Sequence, residues 1–280
     1  MRAGPSAETQ GIHRETMQQL TDTVWIHTEV THGYDVCAGV VLGSDRVFVF
    51  DTLHSPQAIA PVRELVDEIA GDRRIVVVNS HFHWDHVYGN AAFAGFDIVA
   101  HRSCRRLILA EAESESENVP LPPPEGVPLP SIGFGDRVRY NDDSTTIHLI
   151  HTPGHTADSI ILYYDEQDIL FGGDTVEWPF PSLALRDGEE TYLKTLRQLN
   201  QLPVKQVVPT HGPVLGKHVI DANQRYVEEL YDAVRTAKQS GIQRAALDLP
   251  PDGFLPADAE VNGTYREQHR ENVEWAYDES

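Results

Sequence analysis

Six residues, His81-Phe82-His83-Trp84-Asp85-His86, carry four metal-ligand side chains and follow closely on the apolar run Ile75-Val76-Val77-Val78. A β-branched run of that length reads as a buried strand, so the histidines stand where a strand gives way to a loop. Imidazole and carboxylate suit zinc, with iron or manganese as alternatives in a similar cage. No cysteine lies nearby, which argues against a closed thiolate site of the structural type. Further ligand-type residues recur downstream, each beside a tight turn: His151-Thr152-Pro153-Gly154-His155-Thr156, Phe171-Gly172-Gly173-Asp174-Thr175 and Pro209-Thr210-His211-Gly212. Together these segments supply His81, His83, His86, His155 and His211 with the carboxylates of Asp85 and Asp174, enough donors for two metal ions.

The elements around these segments are strands in two groups. Three short β-rich runs, Val24 to Ile26, Val36 to Leu42 and Val47 to Phe50, read as an antiparallel meander. Ser55-Pro56 then predicts a helix start, with Ile59, Val62, Leu65, Val66 and Ile69 at helical spacing and Gly71 as the stop. A strand from Arg74 to Asn79 delivers the histidine run, and Phe96 to Ala100 forms another before a helix through Leu107 and Ala110. Glu111 to Pro130 is rich in Ser, Glu and Pro and reads as a solvated connector, with a lid over the site as the minority reading. From Asp136 a second strand-rich half begins, with strands at Thr145 to Ile150, Asp158 to Tyr164, Asp168 to Phe171 and Lys205 to Val208, and a helix from Leu193 to Leu202. Beyond Gly216 the pattern is helical, with Asp221 as the cap and Tyr226, Val227, Leu230, Tyr231 and Val234 on one face. The acidic tail from Asp248, with Pro250-Pro251 and Pro256, is expected to be only partly ordered.

Composition narrows the partners. The 280 residues carry 43 acidic against 22 basic side chains, a formal net charge of -21 that would repel a phosphate backbone, so nucleic acid is not expected as a partner. A small-molecule substrate is expected. No stretch has the length of a secretory signal or a membrane span, so no membrane partner and a cytoplasmic location are expected. Cys37 and Cys104 are too few for a disulfide framework and read as small buried side chains. Oligomeric state stays open, with a homodimer among the options.

The histidine run followed by a later histidine, aspartate and histidine, in that order, resembles the pattern of the metallo-β-lactamase superfamily from about Thr23 to Leu215. The resemblance implies an α+β fold, a four-layer αββα sandwich with metals on loops at one edge. The corresponding division is an N-terminal segment over 1–22, a metallo-β-lactamase-like domain over 23–215 and a helical C-terminal extension over 216–280 packed on it. It also implies an assignment by position. His81, His83 and His155 hold one metal, Asp85, His86 and His211 hold the second, and Asp174 bridges them. Two zinc ions are the expected cofactors, with no organic cofactor site. Asp85 and Asp174 are expected to serve catalysis as well as ligation. In such a site a water bridging two dications loses its proton near neutral pH and attacks a carbonyl, so no serine or cysteine nucleophile is required.

Asp174 narrows the branch, because true metallo-β-lactamases usually carry cysteine or serine there, whereas an aspartate resembles the thioesterase and lactonase branches. The expected activity is hydrolysis of a small ester, thioester or lactone. Quorum-signal lactonases have a tyrosine three residues after the bridging aspartate, but this chain has Glu177. Glyoxalase II has basic residues in its C-terminal part, whereas this chain is acid-rich there, and Lys217, Arg225 and Arg235 read as helix-surface charges first and as anion contacts second. Trp178-Pro179-Phe180-Pro181 either walls a pocket or simply packs. The remaining histidines read as surface or supporting groups, His151 being the one placed to orient His155. Two rivals stand beside hydrolysis. One is a persulfide-dioxygenase-like oxidoreductase with a single iron on His81, His155 and Asp174; the other is a non-catalytic metal-binding member of the fold.

Overall fold

Runs of β-branched residues bounded by turns produce thirteen strands among the residues described by the computed structural model, which are 17–113, 126–183, 188–257 and 259–280. The chain divides into two compact units, each built on one sheet.

In the first unit seven strands lie side by side in chain order. They are β1 (Met17–Thr21), β2 (Val24–Thr31), β3 (Tyr34–Leu42), β4 (Arg46–Phe50), β5 (Arg74–Val78), β6 (Asp97–His101) and β7 (Ile132–Phe134). β3 and β4 form an antiparallel pair, whereas β4, β5, β6 and β7 run parallel. Parallel neighbours need a crossover, and helix α1 (Ala60–Ile69) supplies the one between β4 and β5. Val62 and Val66 of α1 are buried against Val40, Val49 and Val77 in one apolar core. α1 begins later than Ser55-Pro56 predicts: Ser55 Oγ accepts from Ala58 N at 3.1 Å and closes a preceding turn, and Pro61 occupies the first turn of the helix itself. β1 adds a strand outside the predicted meander, paired antiparallel with β2. A short helix α2 (Trp84–Val87) carries Asp85 and His86, and α3 (Cys104–Glu113) follows β6. Phe82, Val87, Tyr88, Cys104 and Ile108 pack together there, with Trp84 partly buried against them, so the aromatic residues of the histidine run anchor it to the core. The connector or lid expected over Glu111 to Pro130 lies largely outside the described residues. Its first three residues complete α3, and Pro128 O accepts from Asn90 Nδ2 at 3.0 Å.

The second unit has six strands: β8 (Arg137–Asn141), β9 (Thr146–His151), β10 (Ile160–Tyr164), β11 (Ile169–Gly173), β12 (Gln206–Pro209) and β13 (Leu215–Gly216). Their spatial order is β13-β12-β11-β10-β9-β8. β10 runs antiparallel to both β9 and β11, and β11 and β12 are parallel across the helix α4 (Gly188–Leu199). Helix α5 (His218–Gln239) buries Tyr226, Val227, Leu230, Tyr231 and Val234, the face that the helical spacing predicts. Asp221 does not cap it: the position before the helix is Lys217, and Asp221 accepts from Asn200 Nδ2 at 2.9 Å. The tail is more ordered than its composition suggests, for Gly263–Glu279 form α6, capped by Asn262 and burying His269, Asn272, Val273 and Ala276. Phe180 stacks on Tyr226 at 4.8 Å and is 1% exposed, so the aromatic segment after Asp174 packs into this core. No helix among the described residues is long and apolar enough to cross a membrane.

Candidate functional site

Parallel strands deliver their C-terminal ends to the same side of a sheet. In the first unit Asp51 directly follows β4, and Asn79-Ser80-His81 directly follow β5. The backbone ties them, with Asp51 N donating to Val78 O at 2.8 Å and Thr52 N to His86 O at 2.9 Å. Asp51 and Leu53 both hold the left-handed conformation, at φ 61° each. Such values cost a non-glycine residue of order 1 kcal/mol, and they persist where the surroundings over-determine them. Asp51 is buried, and both its oxygens are in use. Oδ1 accepts from Ser80 N at 2.7 Å and Oδ2 lies 2.8 Å from His86 Nδ1. Burial pushes this carboxyl upward, and the His86 ring and the Ser80 N–H pull it back.

The hydrogen bond from His86 to Asp51 has a chemical consequence. With Nδ1–H donating to a carboxylate, His86 carries its lone pair on Nε2, the form in which imidazole binds a metal. Asp85 Oδ2 lies 3.7 Å from that nitrogen. His81 Nε2 lies 2.8 Å from His83 Nδ1, and the rings of His81 and His86 are 4.1 Å apart. Beneath them Thr52, Asn79 and Asn90 form a buried hydrogen-bonded group in which the two asparagines exchange amide bonds at 3.0 Å. All four predicted donors of this unit, His81, His83, Asp85 and His86, therefore gather beside Asp51.

The second unit builds a matching cluster. The loop after β9 is closed by Thr152 N donating to Ser159 O at 2.8 Å, by Thr195 Oγ1 donating to Pro153 O at 2.6 Å and by a contact of 2.9 Å between His151 Nε2 and Ala157 O. His151 thus braces the loop that carries His155. Gly154 is required by close approach, because a Cβ there would run into the Tyr192 ring. Tyr192 donates to Thr175 O at 2.8 Å, and burial, with Glu177 and Asp174 nearby, holds its hydroxyl well above the usual range. Asp174 follows β11 and is 5% exposed. Its Oδ2 lies 3.5 Å from His155 Nε2 and 3.3 Å from His211 Nε2. Gly212, at φ 117°, turns the chain after His211, where a side chain would meet Trp178. His155, Asp174 and His211 are thereby brought together.

These donors fit a metal ion. Bonds of about 2.0–2.1 Å to a tetrahedral zinc place neighbouring donors roughly 3.3 Å apart. The separations of 3.3 and 3.5 Å around Asp174, and of 2.8 and 3.7 Å in the first unit, bracket that edge. Histidine and aspartate donors spaced in this way suit a metal ion.

A model of the metallo-beta-lactamase superfamily matches residues 34–211, well over half of the chain. The chain belongs to the metallo-β-lactamase superfamily. Its fold is shared by the metallo-beta-lactamase from Pontibacter korlensis at a TM-score of 0.60 and 22% identity, over 73% of this chain and 94% of that one. Among relatives, the beta-lactamase-like protein 2 homolog of Caenorhabditis elegans is 28% identical over 54% of this chain and 46% of its own length. The human acyl-coenzyme A thioesterase MBLAC2 is 28% identical over 63% of this chain and 73% of its length. The chain spans about half the length of the beta-lactamase-like protein 2 relatives that it matches. The α+β metallo-β-lactamase fold inferred from the histidine pattern is thus the fold of the chain.

Several supporting groups were not singled out in the sequence. Asp51 has the same strand-end context as Asp174, Phe50-Asp51-Thr52 against Gly173-Asp174-Thr175, and that repetition was the available signal. Glu177, noted only as a departure from lactonases, is buried, with Oε1 3.9 Å from His155 Nδ1. Lys217 donates to Asn200 O and Leu202 O, and Arg235 pairs with Glu189 and Asp232, so both are structural, in line with their reading as helix-surface charges.

Proposed function

We propose that the two clusters together hold a pair of divalent metal ions and that the chain hydrolyses small acyl substrates, acyl thioesters first among esters, thioesters and lactones. The observation that carries this reading is Asp174, one of whose oxygens lies within 3.5 Å of two histidine nitrogens. Membership of the superfamily supports the assignment of His81, His83 and His155 to one ion, Asp85, His86 and His211 to the other, and Asp174 between them. The thioesterase names of relatives support the substrate class. When bound, two zinc ions supply Lewis acidity toward a carbonyl oxygen and a nucleophilic water near neutral pH.

The protein's own part is arrangement. Asp85 and Asp174 offset the charge of two dications in a buried setting, and Asp51 fixes the tautomer of His86. The cysteines offer no rival nucleophile: both are buried, and burial pushes the Cys37 thiol up to about 12. The net charge of -21 supports a small-molecule substrate over nucleic acid.

The test is a panel of acyl-coenzyme A thioesters, simple esters, lactones and β-lactams offered to the zinc-loaded full chain. The expected result is thioester hydrolysis with kcat/KM above about 10⁴ M⁻¹s⁻¹, abolished by a chelator and restored by zinc. Turnover that survives complete metal removal, or a preference for β-lactams, would overturn the proposal.

A further inference from the structure

Three consecutive backbone residues after Asp174 are gripped by side chains of the second unit. Asn272 of α6, 1% exposed, donates from Nδ2 to Pro181 O at 2.9 Å and accepts at Oδ1 from Leu183 N at 2.9 Å. Between these two points Ser182 N donates to Glu177 Oε1 at 2.9 Å. Glu177 is itself fixed, because Asn223 accepts from its N–H at 2.9 Å and donates to its C=O at 2.7 Å. The group left at the centre of this clamp is Ser182 O, which lies 3.3 Å from His155 Nδ1. A carbonyl can only accept, so His155 donates from Nδ1 and presents the lone pair of Nε2 on the side of Asp174.

The donor sense of the rest follows from one end. Leu249 O accepts from His269 Nε2 at 2.8 Å, and burial lowers the affinity of His269 for a second proton. Its Nδ1 therefore accepts from Tyr226 Oη at 2.9 Å, and Tyr226 Oη accepts the remaining N–H of Asn272 at 2.9 Å. Both hydrogens of the Asn272 amide are committed, as is its oxygen. A helix that only needed to pack would bury an apolar residue here, since a buried amide is tolerated only when each of its groups is satisfied.

We propose that Asn272 is a positioning residue for His155, which makes the C-terminal helix α6 a working part of the metal centre. The inference rests on the reading of His155 as a metal ligand. Partners that orient a ligating histidine typically contribute 10–100-fold to metal affinity or activity.

The experiment titrates the metal-free full chain with zinc and with cobalt(II), reading affinity and the cobalt visible absorption. The chains compared are the unaltered one, Asn272→Ala, Asn272→Asp, Val273→Ala and His155→Ala. Asn272→Asp keeps the shape while removing both N–H donors, so a test remains where the alanine variant does not fold. Val273, buried on the same helix, reports general loosening of α6. The expected result is zinc binding weakened about 10–100-fold in both Asn272 variants with an altered cobalt spectrum. Val273→Ala should lose thermal stability but keep the affinity and the spectrum. If His155→Ala binds like the unaltered chain, the underlying ligand assignment fails. If His155→Ala loses an ion while the Asn272 variants bind as tightly as the unaltered chain, or no more weakly than Val273→Ala, the positioning role alone is overturned.

Discussion

Replacing Asp174 by alanine is expected to remove metal as well as activity, with kcat/KM falling at least about a thousandfold, the equivalent of roughly 4 kcal/mol. One oxygen of this carboxylate lies 3.5 Å from His155 Nε2 and 3.3 Å from His211 Nε2, in a site 5% exposed. Without it, two imidazoles would have to hold dications with no counter-charge between them in the second unit, and the desolvated site would favour release. Dialysed protein analysed for metal should contain less than the unaltered chain under the same conditions. Full occupancy by two ions in the variant would remove the bridging role, whatever happened to turnover.

A second large effect is expected at Asp51, a residue that binds no metal in the proposed arrangement. Asp51→Asn conserves volume but places an amide N–H where His86 Nδ1 now finds a carboxylate oxygen at 2.8 Å. His86 would then accept at Nδ1 and carry its proton on Nε2, which takes away the lone pair needed for ligation. Zinc affinity should fall about 10–100-fold. Asp51→Ala should do the same and also destabilise the fold by roughly 1–3 kcal/mol, because Ser80 N would lose its buried acceptor. Calorimetric titration with zinc, paired with thermal unfolding of the metal-free chains, separates the two effects. Equal affinity in Asp51→Asn and the unaltered chain would show that the tautomer of His86 is set elsewhere.

The proposed metal donors were legible in the sequence because they cluster in short segments that follow strands, and that context survives without knowledge of distant partners. Asp51 shares the strand-end context of Asp174, but its partner His86 is 35 positions away, and that context alone does not tell an orienting carboxylate from a ligating one. The helix boundaries failed where a capping residue was used for something else. Ser55 closes a turn before α1, and Asp221 binds the Asn200 side chain. The tail misled because the buried face of α6 includes His269 and Asn272 beside Val273 and Ala276, so its periodicity is hidden from a hydrophobic pattern. Those polar residues are buried by being hydrogen-bonded, a property of the assembled unit. The apolar face of α5, by contrast, could be read directly from its spacing.

The central claim is a two-metal hydrolytic centre, and elemental analysis of the purified full chain tests it most directly when paired with an oxygen electrode. The account predicts two zinc ions per chain and no thiol-dependent oxygen uptake. One iron per chain with oxygen consumed in the presence of a persulfide would contradict it, because His81, His155 and Asp174 would then serve an oxidation and Asp85, His86 and His211 would hold nothing.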